Sequence, residues 1–346
     1  MLQRLSQKIT MNRKAPTLAE LAAAAGVSTM TASRAINNQH GVSDATRAKV
    51  QLLAAQLGYA PNRMAQKLST GQSRVLGVLV TDLDKPYNSS VVAGVVRAAA
   101  AAATEVLIYS LVDRDRRPTG NVPKLLQQFT DGVIAVLPYE QGFMEMLSQG
   151  QVPVVTIDTP SEQTSFVSIG ADDYGGARKA LAYLAELGHK RIAFVAGEEK
   201  LQSAHQRHRA YDDAVAILGL EALVLQGHHT LAGGRAAGES IAKMKRKRPT
   251  AVFASNDVSA FGVLTALQSY GIKVPEDISV VGFDDLPAAA QVHPALTTVR
   301  QPIEELGRSA VNTLLALLAG IDAACSQVTL PTELIVRQST APPNRQ

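Results

Sequence analysis

The chain has no tryptophan, one cysteine (Cys325) and only 4% aromatic residues in 346. One thiol cannot close an intramolecular disulfide, so a disulfide-stapled secreted scaffold is excluded and any core must be packed mainly from aliphatic side chains. Equally missing are a long uncharged apolar span and the charged–apolar–small layout of a signal peptide. These absences predict a soluble chain in a reducing cytoplasm, without membrane association. No Gly-x-Gly-x-x-Gly follows an apolar strand and no Gly-x4-Gly-Lys-Ser/Thr occurs, while Gly175-Gly176 and Gly233-Gly234 stand alone. Nucleotide-dependent enzymes therefore lack their phosphate-cradling signature here. His228-His229 and the scattered His189, His205, His208 and His293 have no metal-ligand spacing, so structural or solvated roles are expected for them. No catalytic residue, metal or cofactor is assigned.

What is present is a split in charge. The first 74 residues hold ten Lys and Arg against two acids, net +8, and the rest of the chain nets −4. A short basic segment attached to a near-neutral body with 46% apolar residues fits a nucleic-acid binder whose body makes binding conditional. Residues 1–15, with Arg4, Lys8, Arg13 and Lys14, read as a basic arm in which Met11 is an alternative start.

Residues 16–60 read as three short helices. Thr17 is placed to cap the first, with Leu18, Leu21, Ala22 and Ala25 on one face, and Gly26 permits a tight turn. Ser28 caps the second, Thr29 to Asn37, and a third from Ser43 buries Val50, Leu53, Ala54 and Leu57 before Gly58 ends it. This is a helix–turn–helix pattern. In such a unit the second helix enters the DNA major groove, with Thr29, Met30 and Arg34 at the base edges and Thr31, Ser33 and Asn37 at phosphates. Arg34 can donate to both acceptors of a guanine, whereas Thr29 and Met30 read methyl groups and shape. The competing reading is a docking or dimerisation module, in which the exposed Arg34 has no work to do.

From Arg74 the pattern alternates. Apolar runs at Val75–Val80, Val106–Leu111, Gly132–Leu137 and Val152–Ile157 are separated by helical stretches such as Ser89–Ala103, and a second series follows. That series places strands at Arg191–Ala196, Leu223–Gln226, Ala251–Ala254 and Ile278–Phe283, with helices near Tyr174–Leu187, His205–Leu218, Leu231–Lys245 and Asp257–Tyr270. The rhythm predicts an α/β core of two doubly wound parallel-sheet lobes, with the helix Ile303–Leu318 returning to the first. The expected boundaries are a core at 74–340, divided into a first lobe (about 74–170 plus 302–330) and a second (about 171–301 plus 331–340), and a tail at 341–346. Ligands on such sheets bind outside the C-terminal strand ends. Asp82, Asp84, Tyr87, Asp158, Asp172, Asp173, Asn256, Asp257, Asp284 and Asp285 fall there. Carboxylates and amides that take hydroxyl pairs, with Tyr87 or Phe283 against an apolar sugar face, suit a polyhydroxylated ligand. Helix capping is the alternative for each of these acids and amides alone. The cations Lys243-Met-Lys-Arg-Lys-Arg248 sit where they complement a helix C-terminus.

The ordered motifs Thr17-Leu-Ala-Glu-Leu-Ala, Ala25-Gly-Val-Ser, Thr31-Ala-Ser-Arg-Ala-Ile-Asn, Val42-Ser-x-x-Thr-Arg, Leu57-Gly-Tyr-x-Pro-Asn-Arg and Val75-Leu-Gly-Val-Leu-Val resemble the lactose-repressor/galactose-repressor family of bacterial transcription regulators. The resemblance continues through Gly188-His-Lys-Arg-Ile-Ala, Ala254-Ser-Asn-Asp, Val274-Pro-Glu-Asp-Ile-Ser-Val-Val-Gly-Phe-Asp-Asp and Pro294-Ala-Leu-Thr-Thr-Val-Arg-Gln, covering about residues 16–340. It implies a periplasmic-binding-protein-like core and a hinge helix in 61–73. Leu68 would then be an apolar wedge in the operator's minor groove, with Asn62 and Ala65 nearby; a passive linker is the alternative. It also implies effector contacts from Arg207 and Ser203 in Ser203-Ala-His-Gln-Arg207, and from Asn256, Asp284 and Gln301. The chain departs from the family pattern where Ala210 replaces a glycine and Arg209 adds a second cation, which leaves open whether Arg207 or Arg209 faces the effector.

The expectation is a homodimeric repressor of carbohydrate-metabolism genes. It would bind a palindromic double-stranded DNA operator and be gated by a small sugar or sugar acid. A purine or nucleoside effector on the same fold is one alternative. A cytoplasmic sugar-binding or sugar-converting protein with an accessory basic domain is another. No heptad-bearing segment follows the last strand region, Glu333–Val336, so a dimer is expected rather than a zippered tetramer.

Overall fold

The computed structural model describes residues 16–60, 73–110, 122–137, 147–148, 150, 152–159, 166–322 and 327–344. The basic arm, most of the expected hinge segment with Asn62, Ala65 and Leu68, and the end of the tail lie outside them. The chain divides into two compact units, 1–73 and 74–346.

The first unit is helical, with α1 (Leu18–Ala25), α2 (Thr29–Ile36) and α3 (Asp44–Leu57). Thr17 and Glu20 form a reciprocal capping box, and Gly26 ends α1 at φ +67°, a conformation that costs an L side chain. Ser28 and Ser43 accept backbone N–H bonds from Thr31 and Thr46, fixing the starts of α2 and α3. The core is Leu21, Ala22, Ala25, Ala32, Ala35, Val50 and Ala54, so alanines let the helices approach closely. Leu53 is only partly buried and Leu57 is 44% exposed. The expectation that Leu57 is core is thus corrected: the burying face is Val50 and Ala54, and Leu57 sits in the last turn beside the Gly58 cap.

The second unit holds two six-stranded sheets. The first contains β1 (Val75–Val80), β2 (Glu105–Ser110), β3 (Gly132–Val136), β4 (Val154–Ile157), β5 (Val167–Ala171) and β11 (Gln327–Leu330). The second contains β6 (Arg191–Ala196), β7 (Glu221–Gln226), β8 (Ala251–Ala254), β9 (Ser279–Asp284), β10 (Thr297–Arg300) and β12 (Glu333–Ile335). Their orders, β11-β5-β4-β3-β1-β2 and β12-β10-β9-β8-β6-β7, correspond position by position. Every pairing is parallel except β10 with β12. Strands buried on both faces read as continuous apolar runs, which is why β1, β3, β6, β8 and β9 stand out in the sequence.

The covering helices are α4 (Pro86–Ala101), α5 (Val122–Phe129) and α10 (Ile303–Leu318) in the first lobe. In the second they are α6 (Asp173–Glu186), α7 (Gln202–Leu218), α8 (Leu231–Lys243) and α9 (Asp257–Ser269). The chain crosses between lobes after β5, after β10 and after β11. Residues 341–344 do not form a free tail: Ser279 and His189 bond the backbone of Ala341, and Asn344 donates to the Glu276 carbonyl.

Candidate functional sites

In the helical unit, α2 buries Ala32 and Ala35 and leaves Thr29, Met30, Arg34 and Asn37 exposed, with Met30 at 64%. A helix with one small apolar stripe inward and an arginine outward presents a readable face. Thr31 and Ser33 are half-buried and already engaged. The Thr31 hydroxyl pairs with Ser28 at 2.9 Å, and the Ser33 carbonyl accepts from Asn37 Nδ2 at 3.0 Å. Their backbone amides and hydroxyls support the helix ends as well as any phosphate contact. Arg47, which the sequence did not single out, is a brace: its guanidinium donates to the carbonyls of Gln39, Arg34 and Ala35 and tethers the turn after α2 to α3.

In the α/β unit, a cavity of about 650 Å³ opens between the lobes at the C-terminal strand ends. Tyr87, Asp158, Ser203, Arg207, Asn256 and Asp284 all line it, as do Asp82 and Asp84. Arg207 is buried at 4% exposure, held by Asp173 Oδ1 at 2.9 Å from Nε and 2.7 Å from Nη2, and by the Ser255 carbonyl at 2.6 Å. Its guanidinium also lies 3.7 Å over the Phe283 ring. Arg209, by contrast, is 69% exposed and lies within 4.0 Å of Asp213. Of the two arginines it is Arg207 that reaches this cavity, because α7 turns residue 207 inward and residue 209 to solvent.

Two sequence expectations are corrected here. Gln301 does not line the cavity; it is buried behind it and donates to Asp284 Oδ1 at 2.6 Å, so it positions that carboxylate. Phe283 is fully buried beneath Arg207 and offers no face to a sugar, leaving Tyr87 as the ring on the wall. Asp257 and Asp285 are also structural. Asp257 accepts from Thr298 and from the Leu286 backbone, and Asp285 pairs with Arg300 and Arg337. Conversely, His228 and His229, expected to be structural or solvated, line the cavity. His229 Nε2 meets Ser255 Oγ at 2.9 Å, and a side chain at Gly197 would collide with its ring. Both histidines have positive φ, a turn geometry that no spacing rule signals.

Burial dominates the electrostatics. Asp284 is pushed up to about 7 by loss of solvent, although Arg207 and Gln301 pull it down. Asp158 is pushed up to about 6 by burial and by Asp173, while Ser203 and Arg207 oppose the rise. His229 is held down at about 3 by burial and by Arg207, so its imidazole is neutral. Asp158 also ties the lobes together. From the end of β4 it accepts the Ser203 backbone N–H at 3.1 Å and the Ser203 hydroxyl at 2.6 Å, capping α7 of the other lobe. Leu201, Ala204 and Leu286 of the second lobe complete this contact by packing into the first lobe's aliphatic core. A cleft that sets donors and acceptors among apolar side chains, with walls from two lobes, can report occupancy as lobe geometry.

Among the described residues no group of three or more His, Cys, Asp or Glu is placed to hold a metal ion. No described helix is long and apolar enough to cross a membrane.

Comparison with known proteins agrees with this architecture. Residues 17–62 match the model of bacterial regulatory proteins of the lacI family, and residues 181–340 match a periplasmic binding protein-like domain. The transcriptional repressor CytR of Escherichia coli (strain K12) is 31% identical over 339 residues, covering 96% of this chain and 98% of that protein. A Lac repressor dimer bound to operator and the anti-inducer ONPF superposes with TM-score 0.83 at 30% identity, over 95% of this chain and 100% of the other. A complex of the regulator CelR with cellobiose gives TM-score 0.72 at 31% identity, over 94% and 99%. With a readable helix, two lobes of this topology and full-length relatives that are transcriptional regulators rather than enzymes, the chain belongs to the lacI family of bacterial regulatory proteins.

Proposed function

We propose that this protein is a cytoplasmic, non-enzymatic repressor of carbohydrate-metabolism genes, binding a palindromic operator as a homodimer and gated by a polyhydroxylated ligand in the inter-lobe cleft. The observation that carries this reading is Arg207, buried between Asp173 and Asp284 on the wall of a 650 Å³ cavity in a chain that also presents Thr29, Met30 and Arg34 on an exposed helix. Thr29, Met30 and Arg34 read bases, while Thr31, Ser33 and Asn37 fix register on phosphates. Leu68, with Asn62 and Ala65, acts at the operator centre as a wedge. Tyr87, Asp158, Ser203, Asn256 and Asp284 bind the effector with Arg207.

Dimerisation has a surface to use. Edge strands β2 and β7 occupy equivalent sheet positions and expose Leu107, Ile108, Tyr109 and Val224, next to Ile217 and Leu218 on α7. Pairing them in a second copy would bury apolar area and mirror a palindromic site. The relatives named above support the reading, since one was solved as a dimer on operator and another with cellobiose.

The test is operator selection from a random palindrome library followed by fluorescence anisotropy with and without sugars. Sequence-specific, sugar-sensitive binding is expected, without conversion of the sugar. Arg34→Ala should remove sequence preference while leaving sugar binding intact. Preference retained in that variant would show that the base-reading assignment is wrong.

A further inference from the structure

Resting on the reading of the cleft as an effector site, the charge and hydrogen-bond inventory of its walls says which ligands fit. The cavity sits where helix N-termini would ordinarily offer an anion a receptor, because their unpaired N–H groups and dipoles favour negative charge. Here each of those starts already carries a side-chain cap or a proline. Asp158 places its carboxylate on the first turn of α7. Asn256 Oδ1 takes the Ser259 N–H at the start of α9, Thr230 takes the Gly233 N–H of α8, and α4 begins with Pro86, which has no N–H.

The cations are spent in the same way. Of the five N–H groups of Arg207, three go to Asp173 and the Ser255 carbonyl, and Nη1 lies 3.9 Å from Asp284. One guanidinium thus serves two buried carboxylates. Lys85, the other cation on the wall, shares its turn with Asp82 and Asp84, and His229 brings no charge. The Tyr87 hydroxyl and the Asn256 amide are neutral donors on the wall, and beside them stand open acceptors. Among the described residues nothing donates to Asp284 Oδ2. Asn88 is fully buried, with Nδ2 committed to the Asp82 carbonyl at 2.7 Å and its Oδ1 unpaired. A buried acceptor without a donor is costly, and a ligand hydroxyl or amine would satisfy it.

We propose that this cleft selects by charge: it takes a hydroxyl- or amine-bearing effector without an acidic group and rejects sugar acids, sugar phosphates and nucleotides of the same skeleton. An incoming anion would meet capped helix starts and an arginine already shared by two carboxylates, and would approach the half-buried Asp158 and the buried Asp284.

The test is calorimetric titration of the full-length chain at mildly alkaline pH, above the range in which Asp158 and Asp284 lose their protons, with matched series: glucose, glucosamine, glucuronate and a glucose phosphate; ribose and ribose phosphate; adenosine and adenosine monophosphate. For any skeleton that binds, the uncharged or aminated member is expected to bind at least about tenfold tighter than its anionic counterpart, in keeping with the cost of juxtaposed like charges. Asp284→Asn should narrow that ratio. An anionic member that binds as tightly as its neutral partner, or a ratio unchanged in Asp284→Asn, overturns the proposal while leaving the effector reading intact. A series in which no member binds, or in which binding leaves operator affinity unchanged, overturns the effector reading and this proposal with it.

Discussion

The two lobes share a strand order and a manner of packing their helices, yet they divide the work of the cleft unequally. In the first lobe α4 and α10 cross where Gly94 and Gly307 meet, and in the second α8 and α9 cross where Gly234 and Gly262 meet. At each of these four glycines a Cβ would collide with the backbone of the partner helix. The cores built on these frames differ. The first lobe is aliphatic around Val78, Ile134, Ile157 and Leu314, whereas the second contains an aromatic cluster in which Phe194 lies 5.1 Å from Tyr211 and 5.5 Å from Phe253. Phe283, in the same cluster, supports Arg207. The second lobe therefore holds a braced charge network. The first supplies Tyr87, Asn88 and Leu137 as wall, and Asp158 as the tie. A common frame sets where a cleft forms, and the side chains behind it decide which wall is rigidly charged.

That contrast can be broken most severely at Arg207. Arg207→Ala strands two buried carboxylates and should cost about 3–5 kcal/mol of stability, measured by chemical denaturation, with loss of effector response. Tyr87→Phe on the opposite wall should cost less than about 1 kcal/mol, and comparable losses in both would erase the distinction between the lobes. The shared frame is tested by Gly94→Ala and Gly262→Ala, each expected to destabilise by about 1–3 kcal/mol through overpacking. A large cost in one lobe and none in the other would show that the crossings are not equivalent. Ser203→Ala removes a hydrogen bond to a carboxylate across the lobe boundary and should cost about 1.5–3 kcal/mol, together with a change in small-angle scattering. Unchanged scattering and stability would mean that Asp158 does not tie the lobes.

The smallest effect is with pH. Asp158 and Asp284 have folded values above their unfolded ones, so the fold favours their protonated forms. Their stabilising contribution is complete below the ordinary aspartate range and is lost as pH rises through about 6 and about 7. His189 and His229, held low, act in the opposite sense, losing stability as pH falls below the usual histidine value. The informative measurement is therefore the difference in melting temperature between wild type and Asp284→Asn. Asp284 faces Arg207, Gln301, Asp173 and Asp158. The variant should gain on wild type as pH rises through neutrality, and a flat difference would show that Asp284 is ionised in both states.

Much of the frame was legible because burial on both faces of a parallel sheet leaves uninterrupted apolar runs. Val75–Val80, Arg191–Ala196 and Ala251–Ala254 fall where the sequence placed them, as does the helix Ile303–Leu318. The misses are physical as well. β5, β10 and β11 are short, and their Ser, Thr, Gly and Gln residues dilute the apolar signal, so the sequence did not mark them as strands. In the cleft, strand-end position pointed to Asp158 and Asp284, but not to which carboxylates line the cavity and which are used within the protein. Asp257 looks the same in sequence and is consumed by Thr298 and Leu286. Gln301 matched a contact pattern and lies one layer behind it.

The amino-acid sequence by itself determined a basic three-helix unit with Arg34 on the outer face of α2, two alternating α/β series and the residue types gathered at their strand ends. Local periodicity, capping residues and charge spacing depend only on neighbours in the chain. Tertiary structure alone decided that Arg207 and not Arg209 enters the cleft, that His228 and His229 join its wall, that Gln301 serves Asp284, and that Asp158 of one lobe caps a helix of the other. Each of these depends on groups from 17 to 48 residues apart in the chain meeting where their side chains are wholly or partly buried. There the partner, rather than the residue type, sets direction and charge.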